Sequence, residues 1–361
     1  MSLHKIRDVE SLHRHLYSAL QLEHATIPPY LSALYSIKPG TNAEATHALR
    51  VVAVEEMLHL TLVGNLLNAV GGTPDLTQAG FVPAYPSYLP DGELDFTVNC
   101  ERFSKNAIET FLKIERPADL DDGREVTLSK QPRDVVILAA HPNHKEAPQE
   151  HFFSIGQFYQ AIEEGLRHLH KEMGDALFSG DPAHQISSEY YYSGGGKLIS
   201  ITNLETALAA LDLIAEQGEG IAGNIFDEDG ELSHYFRFHQ LVAGRFYQKG
   251  DNPHEPSGAP LEVNWEEVFP IKTNAKLADY SENTALAQQA MGFNNAYADF
   301  LDLLTKAFAG EPHLFTDAVG DMFRLKEMFY QLMRQPLTAS GGVNAAPTFE
   351  VDELFKSREK K

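Results

Sequence analysis

The spacing of apolar residues along the chain predicts a mainly helical protein. The first predicted helix has an apolar face that runs from Leu12 to Ile27, and Pro28 and Pro29 should kink or end it. The second runs from about residue 44 to residue 70, where two glycines and a proline form an ordinary C-terminal stop. Helical periodicity thus accounts for most of the first 70 residues.

The rest of the chain divides into further helices, an irregular segment and a tail. Residues 73–150 are rich in Pro, Gly and short alternating runs such as LDFTVNC, which predicts an irregular insertion with a little β structure. The tail from residue 335 onward is predicted to extend over the surface. No long linker divides the chain, so we predict a single domain over residues 1–361, with a helical C-terminal extension at 261–361. The further helices are predicted at 105–113, 154–178, 203–217, 231–247, 282–308 and 313–333.

Two polar residues lie in the middle of the apolar face of the second helix. Glu56 and His59 share that face with Val52, Val63 and Leu66, so both should point into the core. A buried, ionised carboxylate is costly unless it is paired or binds a metal. A Glu-x-x-His pair on an inward face is the metal-binding element of carboxylate-bridged di-metal bundles. The alternative for this pair alone is a buried Glu–His hydrogen bond.

Polar residues on the other helices favour the metal site. Glu23 continues the apolar face of the first helix, three residues after Leu20 and four before Ile27. Glu163 lies at the flank of the inner face of the helix predicted at 154–178. Each carboxylate alone has an ordinary explanation, but together they favour a metal centre.

The carboxylate from the next helix has three candidates. Glu219 extends the apolar stripe of the helix at 203–217, and Glu216 is the reserve candidate three residues earlier. Glu231 forms a second Glu-x-x-His with His234, and spacing alone would favour it. Glu231 also opens a helix, however, where a carboxylate typically stabilises the exposed N–H groups. We therefore predict that Glu219 and His234 complete the site.

The predicted ligand set indicates which metal it would bind. Carboxylates with two imidazoles and no thiolate suit iron or manganese better than zinc. Two carboxylate-bridged irons usually activate O₂ or peroxide, which predicts an oxidoreductase. The alternatives are an iron-handling or peroxide-consuming protein without an organic substrate, and a scaffold in which the metal is only structural.

Charge and cysteine content narrow the class of partner. The chain has 29 Lys and Arg against 51 Asp and Glu, a formal charge of −22, which argues against nucleic acid or an anionic membrane as partner. Its single cysteine, Cys100, excludes an intramolecular disulfide, and the first residues lack the apolar run of a signal peptide. We predict a cytoplasmic protein, compatible with a homo-oligomer. For the SGGG run at 193–196, a turn is favoured over a phosphate cradle, because no strand precedes it.

Runs spread over nearly the whole chain carry a family resemblance. They are LEHATIPPYLSALYSI, EEMLHLTLVGNLLNAVGGTP, SIGQFYQAIEEGL, AEQGEG and SHYFRF, followed by VFPIKTN, FNNAYADFLDLL, AVGDM and AAPTFE. With these runs the chain resembles the iminophenyl-pyruvate dimer synthase family, the ferritin-like domain of the violacein-pathway protein VioB. In that pathway the related step couples two imines derived from an aromatic amino acid.

The resemblance implies a ferritin-like four-helix bundle, two iron ions (or manganese), and oxidation of a small, amino-acid-derived imine with O₂ or peroxide. The pathway proteins are much longer and carry another region before the ferritin-like part. The fold and the metal site therefore carry over more directly than the dimerisation does. The ligands that the resemblance implies are Glu23, Glu56, His59, Glu163, Glu219 and His234.

Overall fold

The computed structural model describes residues 6–90, 96–117, 120, 155–192, 194–218, 224–227, 229–338 and 341–359. Within these residues the structure is helical, and β pairing is limited to isolated bridges such as Ser87 with Val98. The predicted mainly α class is confirmed. The helices are α1 (Val9–Ser36), α2 (Ala43–Ala69), α3 (Lys105–Ile114), α4 (Ile155–Met173), α5 (Leu204–Gly218), α6 (His234–Ala243), α7 (Thr284–Phe308), α8 (Leu314–Met333) and α9 (Asp352–Glu359).

Four of the helices form the bundle that positions the polar centre. The long helices α1 and α2 pack along each other, α4 packs against α1, and α5 packs against both α4 and α2. Beside this bundle, α3 and α6 pack against each other, and α6 also contacts α2 and α5. The C-terminal pair α7 and α8 packs together and contacts α2 and α1. An apolar core extends from α1 through to α9.

Helix α1 continues through both of its prolines, so of the predicted kink or end, the end is wrong. Asp8 caps its start by accepting a hydrogen bond from the Ser11 N–H, and the helix runs on to Ser36. Pro29 has no N–H for the carbonyl of Ala25, four residues earlier. The hydroxyl of Tyr85, from the insertion, donates to that carbonyl at 2.8 Å. The missing helical bond is therefore replaced by a side chain.

The C-terminal tail also differs from the prediction of an extended surface segment. Ala345 and Phe349 are buried, and the tail ends in helix α9, which buries Phe355. The hydroxyl of Tyr280 donates to the carbonyl of Ala346 and accepts from its N–H, which fixes this segment to the helical extension. The sequence signal was missed because short apolar runs without helical spacing do not show whether they are buried.

Among the described residues, none of the helices combines the length and apolar character needed to cross a membrane.

Candidate metal centre

One face of α1 supplies three polar side chains to the interior of the bundle. Glu23, Thr26 and Tyr30 are spaced by three and four residues, so they lie in a row along the helix. All three are at most 4% exposed. Across from them α2 contributes Glu56 and His59, which are equally buried. The predicted inward orientation of Glu23, Glu56 and His59 is what the structure shows.

The first group of ligand atoms combines Glu23, Glu56 and His59. Nδ1 of His59 lies 3.4 Å from Oε2 of Glu23 and 3.8 Å from Oε1 of Glu56. One ligand atom from each side chain lies within 4.8 Å of the other two. The three side chains come from two helices and enclose one position for a metal ion.

The second group combines Glu56 with Glu115 and His234. Nδ1 of His234 lies 3.1 Å from Oε1 of Glu56 and 3.4 Å from Oε2 of Glu115. These ligand atoms also lie within 4.8 Å of one another. Glu56 belongs to both groups, and the two imidazole rings stack with their centroids 5.5 Å apart. The arrangement is a pair of adjacent positions that share one carboxylate.

Each of the three carboxylates uses its two oxygens differently. One oxygen faces an imidazole Nδ1, while the other accepts a hydrogen bond from a hydroxyl group. Burial and the neighbouring carboxylates hold the pKa of Tyr30 and of Tyr159 well above its ordinary value, so both phenols keep their protons. The hydroxyl–carboxylate pairs are Tyr159 with Glu23, Thr26 with Glu56 (2.8 Å), and Tyr30 with Glu115.

The orientation of His59 is set by an amide from α5. Nε2 of His59 lies 2.9 Å from Oε1 of Gln217, and Nε2 of Gln217 donates to the carbonyl of Gly195 at 2.7 Å. Because the amide nitrogen is engaged by a carbonyl, its oxygen must accept, and His59 must donate from Nε2. Nδ1 of the neutral ring then presents its lone pair to the carboxylates.

The orientation of His234 is set by a carboxylate instead. Its Nε2 lies 3.0 Å from Oε2 of Glu55, so Nε2 donates, and in the neutral ring Nδ1 carries the lone pair. That Nδ1 is buried and makes no hydrogen bond within the described part of the chain. Nη2 of Arg237 lies 4.0 Å from Glu55 and 2.8 Å from Glu231. Both imidazoles are thus oriented by groups outside the cluster, with Nδ1 toward the carboxylates.

Burial and mutual interaction shift the pKa values within the cluster. Burial, with the negative charges of Glu23 and Glu115, raises the pKa of Glu56 to about 7. For His59, burial disfavours the imidazolium, but the carboxylates of Glu23 and Glu56 outweigh it and raise the pKa. Burial also opposes charge on His234, yet Glu115 and the adjoining carboxylates raise its pKa well above the ordinary value. The metal-free cluster therefore holds protons tightly.

A pocket leads to the Glu23, Glu56, His59 and Glu115 side chains. Its empty space, open mouth included, is about 430 Å³. Apart from the polar groups, its walls are made by Leu22, Ile155, Gly156, Ile214, Ala215 and Gly218.

The structure brings four of the six predicted ligands together: Glu23, Glu56, His59 and His234. It does not bring Glu163 to them, because this side chain is 35% exposed and accepts from Nε of Arg167 at 2.8 Å. From the same helix, Tyr159 reaches the cluster one turn earlier. Glu219 lies outside the described residues. Its neighbour Gly218 borders the pocket, and an ideal Cβ built there would be 3.9 Å from Oε2 of Glu115.

The alternatives to Glu219 both lie apart from the cluster. Glu231 is 65% exposed and bonds Arg237, three residues before α6 begins at His234. Glu216 is partly buried on α5 and belongs to neither group of ligand atoms. The Glu-x-x-His spacing of Glu231 with His234 therefore does not produce a shared face, because residue 231 precedes the helix.

On this geometry we expect Glu163→Ala to keep the full metal content of the protein. Its carboxylate bonds Arg167 at the partly exposed side of α4, so its loss should change only surface stability, by at most about 1 kcal/mol. Elemental analysis after anaerobic iron loading, with Glu164→Ala as the control on the same helix, measures this. Loss of one ion from the Glu163 variant alone would return this residue to the ligand set.

Sequence reasoning missed Glu115, which is the C-cap residue of α3. It lies inside the insertion that was predicted to be irregular, and no histidine follows it at helical spacing. A signal was present, since Glu115 continues the apolar face of Ile108 and Phe111 by one turn. The same criterion that identified Glu23 would have identified Glu115. Ser104 caps the start of α3 by accepting from the Ala107 N–H, which fixes this helix.

The donor set fits transition-metal ions that prefer oxygen and nitrogen. The five candidate ligand residues are buried, three of them are carboxylates, and the Nδ1 atoms of the two imidazoles face those carboxylates. Carboxylates and imidazoles favour iron or manganese. Without a cation, a buried cluster with three carboxylates would be costly. A four-helix bundle with such a di-metal donor set in its core is the arrangement of ferritin-like proteins.

Comparison with known proteins agrees with this class. The family model described as ferritin-like matches residues 16–243, from the first turns of α1 to the last residue of α6. The chain belongs to the ferritin-like family.

Two individual proteins are similar to the chain. The dichlorochromopyrrolate synthase of Lentzea aerocolonigenes is 26% identical over 336 residues, which cover 87% of this chain and 30% of that protein. The chain thus spans less than a third of that relative's length. The crystal structure of a ferritin-like protein from Caulobacter vibrioides has a TM-score of 0.59 and 20% identity, and the match covers 95% of this chain and 99% of that one. This second likeness supports the fold, including the C-terminal helices.

Proposed function

We propose that the protein is a non-haem di-iron oxidoreductase, with manganese as the alternative metal, that uses O₂ or peroxide to oxidise a small organic molecule. The observation that carries this proposal is the pair of Glu/Glu/His groups that share Glu56 in the core of a ferritin-like bundle. When bound, two such ions supply redox chemistry that no protein side chain offers alone. The cytoplasmic location and the homo-oligomer stay predictions.

The residues around the cluster have separate tasks in this proposal. Glu23, Glu56 and Glu115 hold the ions together with the two histidines. The hydroxyls of Tyr30, Tyr159 and Thr26 fix the carboxylates from behind. Their hydrogen bonds leave the carboxylate oxygens that face the imidazoles for the metal, so the ligands are preorganised before any ion binds.

The pocket walls support an organic substrate of partly apolar character. Leu22, Ile155 and Ile214 line the space above the polar floor. Such walls exclude water and favour an apolar or aromatic body, while the floor meets its polar end. An imine derived from an aromatic amino acid has both parts. The similarity to a synthase named for dichlorochromopyrrolate supports a small-molecule substrate, although the chain matches only 30% of that protein.

The test combines a metal-loaded protein with a generated imine. Protein loaded anaerobically with Fe(II) is mixed with O₂ or peroxide and with the imino acid that an amino-acid oxidase produces from phenylalanine or tryptophan. We expect oxidant uptake over many turnovers only when the imine is present, with a new product detected by mass spectrometry. Glu56→Ala protein serves as the control without a metal centre.

Two outcomes would contradict the proposal in different ways. Oxidant consumption that is unchanged by every imine would favour peroxide removal without an organic substrate. Uptake of hundreds of irons by a large hollow assembly would favour storage, in which case the proposed oxidoreductase function is wrong.

We predict further that Glu219→Ala loses metal or binds it at half stoichiometry, while Glu231→Ala keeps both ions. The pocket position of Gly218 supports Glu219 as a ligand, and the ion pair with Arg237 supports a structural role for Glu231. Iron content per chain and the thermal midpoint are measured for both variants. The reverse pattern would assign the ligand to Glu231.

A further inference from the structure

In the two histidines of the proposed centre, Nδ1 faces the same kinds of group, but Nε2 donates to a different kind of acceptor. We call the acceptor of Nε2 the outer partner. Each Nδ1 faces Glu56 and one further carboxylate, Glu23 for His59 and Glu115 for His234. Each Nε2 donates to a side-chain oxygen at 2.9–3.0 Å. For His59 that oxygen belongs to a neutral amide, whereas for His234 it belongs to a carboxylate. The chain therefore contains an internal comparison between two outer partners.

The charge of the outer partner changes the strength of the ligand. A carboxylate that accepts from the N–H of a metal-binding imidazole makes the ring more basic and a stronger donor than a neutral amide does. Arg237 moderates the charge of Glu55 only in part. Nη2 of Arg237 lies 4.0 Å from Glu55 but 2.8 Å from Glu231, so the positive charge of Arg237 is paired mainly with Glu231.

The neutral partner of His59 is held in place by the backbone. Gly195 has a φ of +76°, and a Cβ there would lie 3.0 Å from Cα of Glu55 and 3.1 Å from the carbonyl oxygen of Val54. Glycine thus lets this turn lie directly on α2. The Gly195 carbonyl accepts from Gln217 and keeps the amide from turning its nitrogen toward His59. Gly195 belongs to the run for which a turn was favoured over a phosphate cradle, and its carbonyl holds the amide that contacts His59.

We infer that the two metal positions are unequal and that the position of Glu56, Glu115 and His234 fills first, because Glu55 strengthens His234 while Gln217 leaves His59 a weaker ligand. This inference rests on the proposed di-metal centre. Glu55 and Gln217 are positioning residues, since neither belongs to the two ligand groups. Loss of such an outer partner typically lowers metal affinity by about 10–100-fold.

The experiment is a titration of the metal-free protein with Co(II) in oxygen-free buffer against a competing chelator, followed by visible absorption. We expect two binding steps for the natural chain, with dissociation constants about 10–100-fold apart. Glu55→Gln keeps an acceptor for His234 but removes the charge, so the first step should weaken until it merges with the second. Glu164→Gln, which removes an exposed charge on α4, is the control and should keep both steps.

The order of filling is assigned by removing each histidine. His59→Ala should retain the tight step and lose the weak one, while His234→Ala should retain only the weak step. This assignment does not depend on the Glu55 variant, so it tests the inference even if Glu55→Gln disturbs folding. Circular dichroism of each metal-free variant reports the fold.

The possible failures are distinguishable. If the folded natural chain binds no Co(II), the di-metal centre itself is wrong, and the inference falls with it. Two Co(II)-binding steps of equal affinity would refute the inequality of the two metal positions, and so would a tight step that survives His234→Ala. Either result would leave the di-metal centre itself intact. If the ratio of the two dissociation constants is unchanged in a folded Glu55→Gln protein, the Glu55 carboxylate does not cause the difference between the two positions.

Discussion

Replacing Glu56 with alanine should abolish the binding of both metal ions, from close to two per chain to almost none. Glu56 is the one carboxylate that belongs to both groups of ligand atoms, so its removal leaves each position with one carboxylate and one imidazole among the described residues. Loss of a terminal ligand such as Glu23 should weaken one position more than the other. Iron is loaded anaerobically, unbound ion is removed, and the metal content is measured by elemental analysis.

A matched control separates loss of the site from loss of the fold. Glu164→Ala removes an exposed glutamate from α4 and should retain both ions. The metal-free Glu56→Ala protein should remain helical, because the substitution also removes a buried charge. If that variant still binds two ions per chain, Glu56 does not join the two positions and the assignment of the centre is wrong.

The stability of the metal-free protein should fall as pH rises, and Glu56 should account for a large part of the fall. In the folded chain its pKa is raised from 4.5 to about 7, so the folded state binds this proton more tightly than the unfolded state. The associated stability is present below pH 4.5 and is lost as pH rises through 7. The raised pKa values of His59 and His234 act in the same direction, from 6.5 upward.

The comparison that isolates this effect is metal-free natural protein against Glu56→Gln. The amide has a similar shape and no charge, so it should be the more stable of the two at pH 8. The difference between them should grow by on the order of 3 kcal/mol between pH 4.5 and pH 8. Urea unfolding in the presence of a chelator measures it. A difference independent of pH would show that Glu56 does not titrate with a raised pKa.

Adding metal should change this pH dependence, because metal ions compete with protons for the same atoms. The stabilisation by Fe(II) or Mn(II) should therefore be larger at pH 8 than at pH 6. Glu56→Gln should show little stabilisation at either pH.

The helical core was predictable from the sequence because its signals are local. Apolar spacing located α1 and α2 and, within their stripes, the inward Glu23, Glu56 and His59. Such periodicity depends only on neighbours within a few turns. The continuation of α1 past Pro28 and Pro29 was not predictable in this way, since it depends on a hydroxyl from Tyr85, which is 60 residues away from the carbonyl it contacts.

The rest of the centre depends on contacts between distant segments. Glu55 contacts His234, 179 residues later, and no spacing along α2 indicates that contact. Likewise, nothing near Gln217 in the sequence shows that its amide meets both His59 and Gly195. Partners of this kind follow from how the helices pack and not from any spacing along one helix.

The hydroxyl groups behind the carboxylates have a consequence for coordination number. One oxygen of each carboxylate accepts from Tyr159, Thr26 or Tyr30, so a single oxygen of each remains to face the imidazoles. With Glu56 shared, each ion would then receive three donor atoms from the described residues. Metal sites that are only structural are usually saturated by protein ligands, whereas catalytic sites retain an open position. Glu219, proposed above as a further ligand, would add to one of the two positions, so the other ion at least would keep a position open to an exogenous molecule.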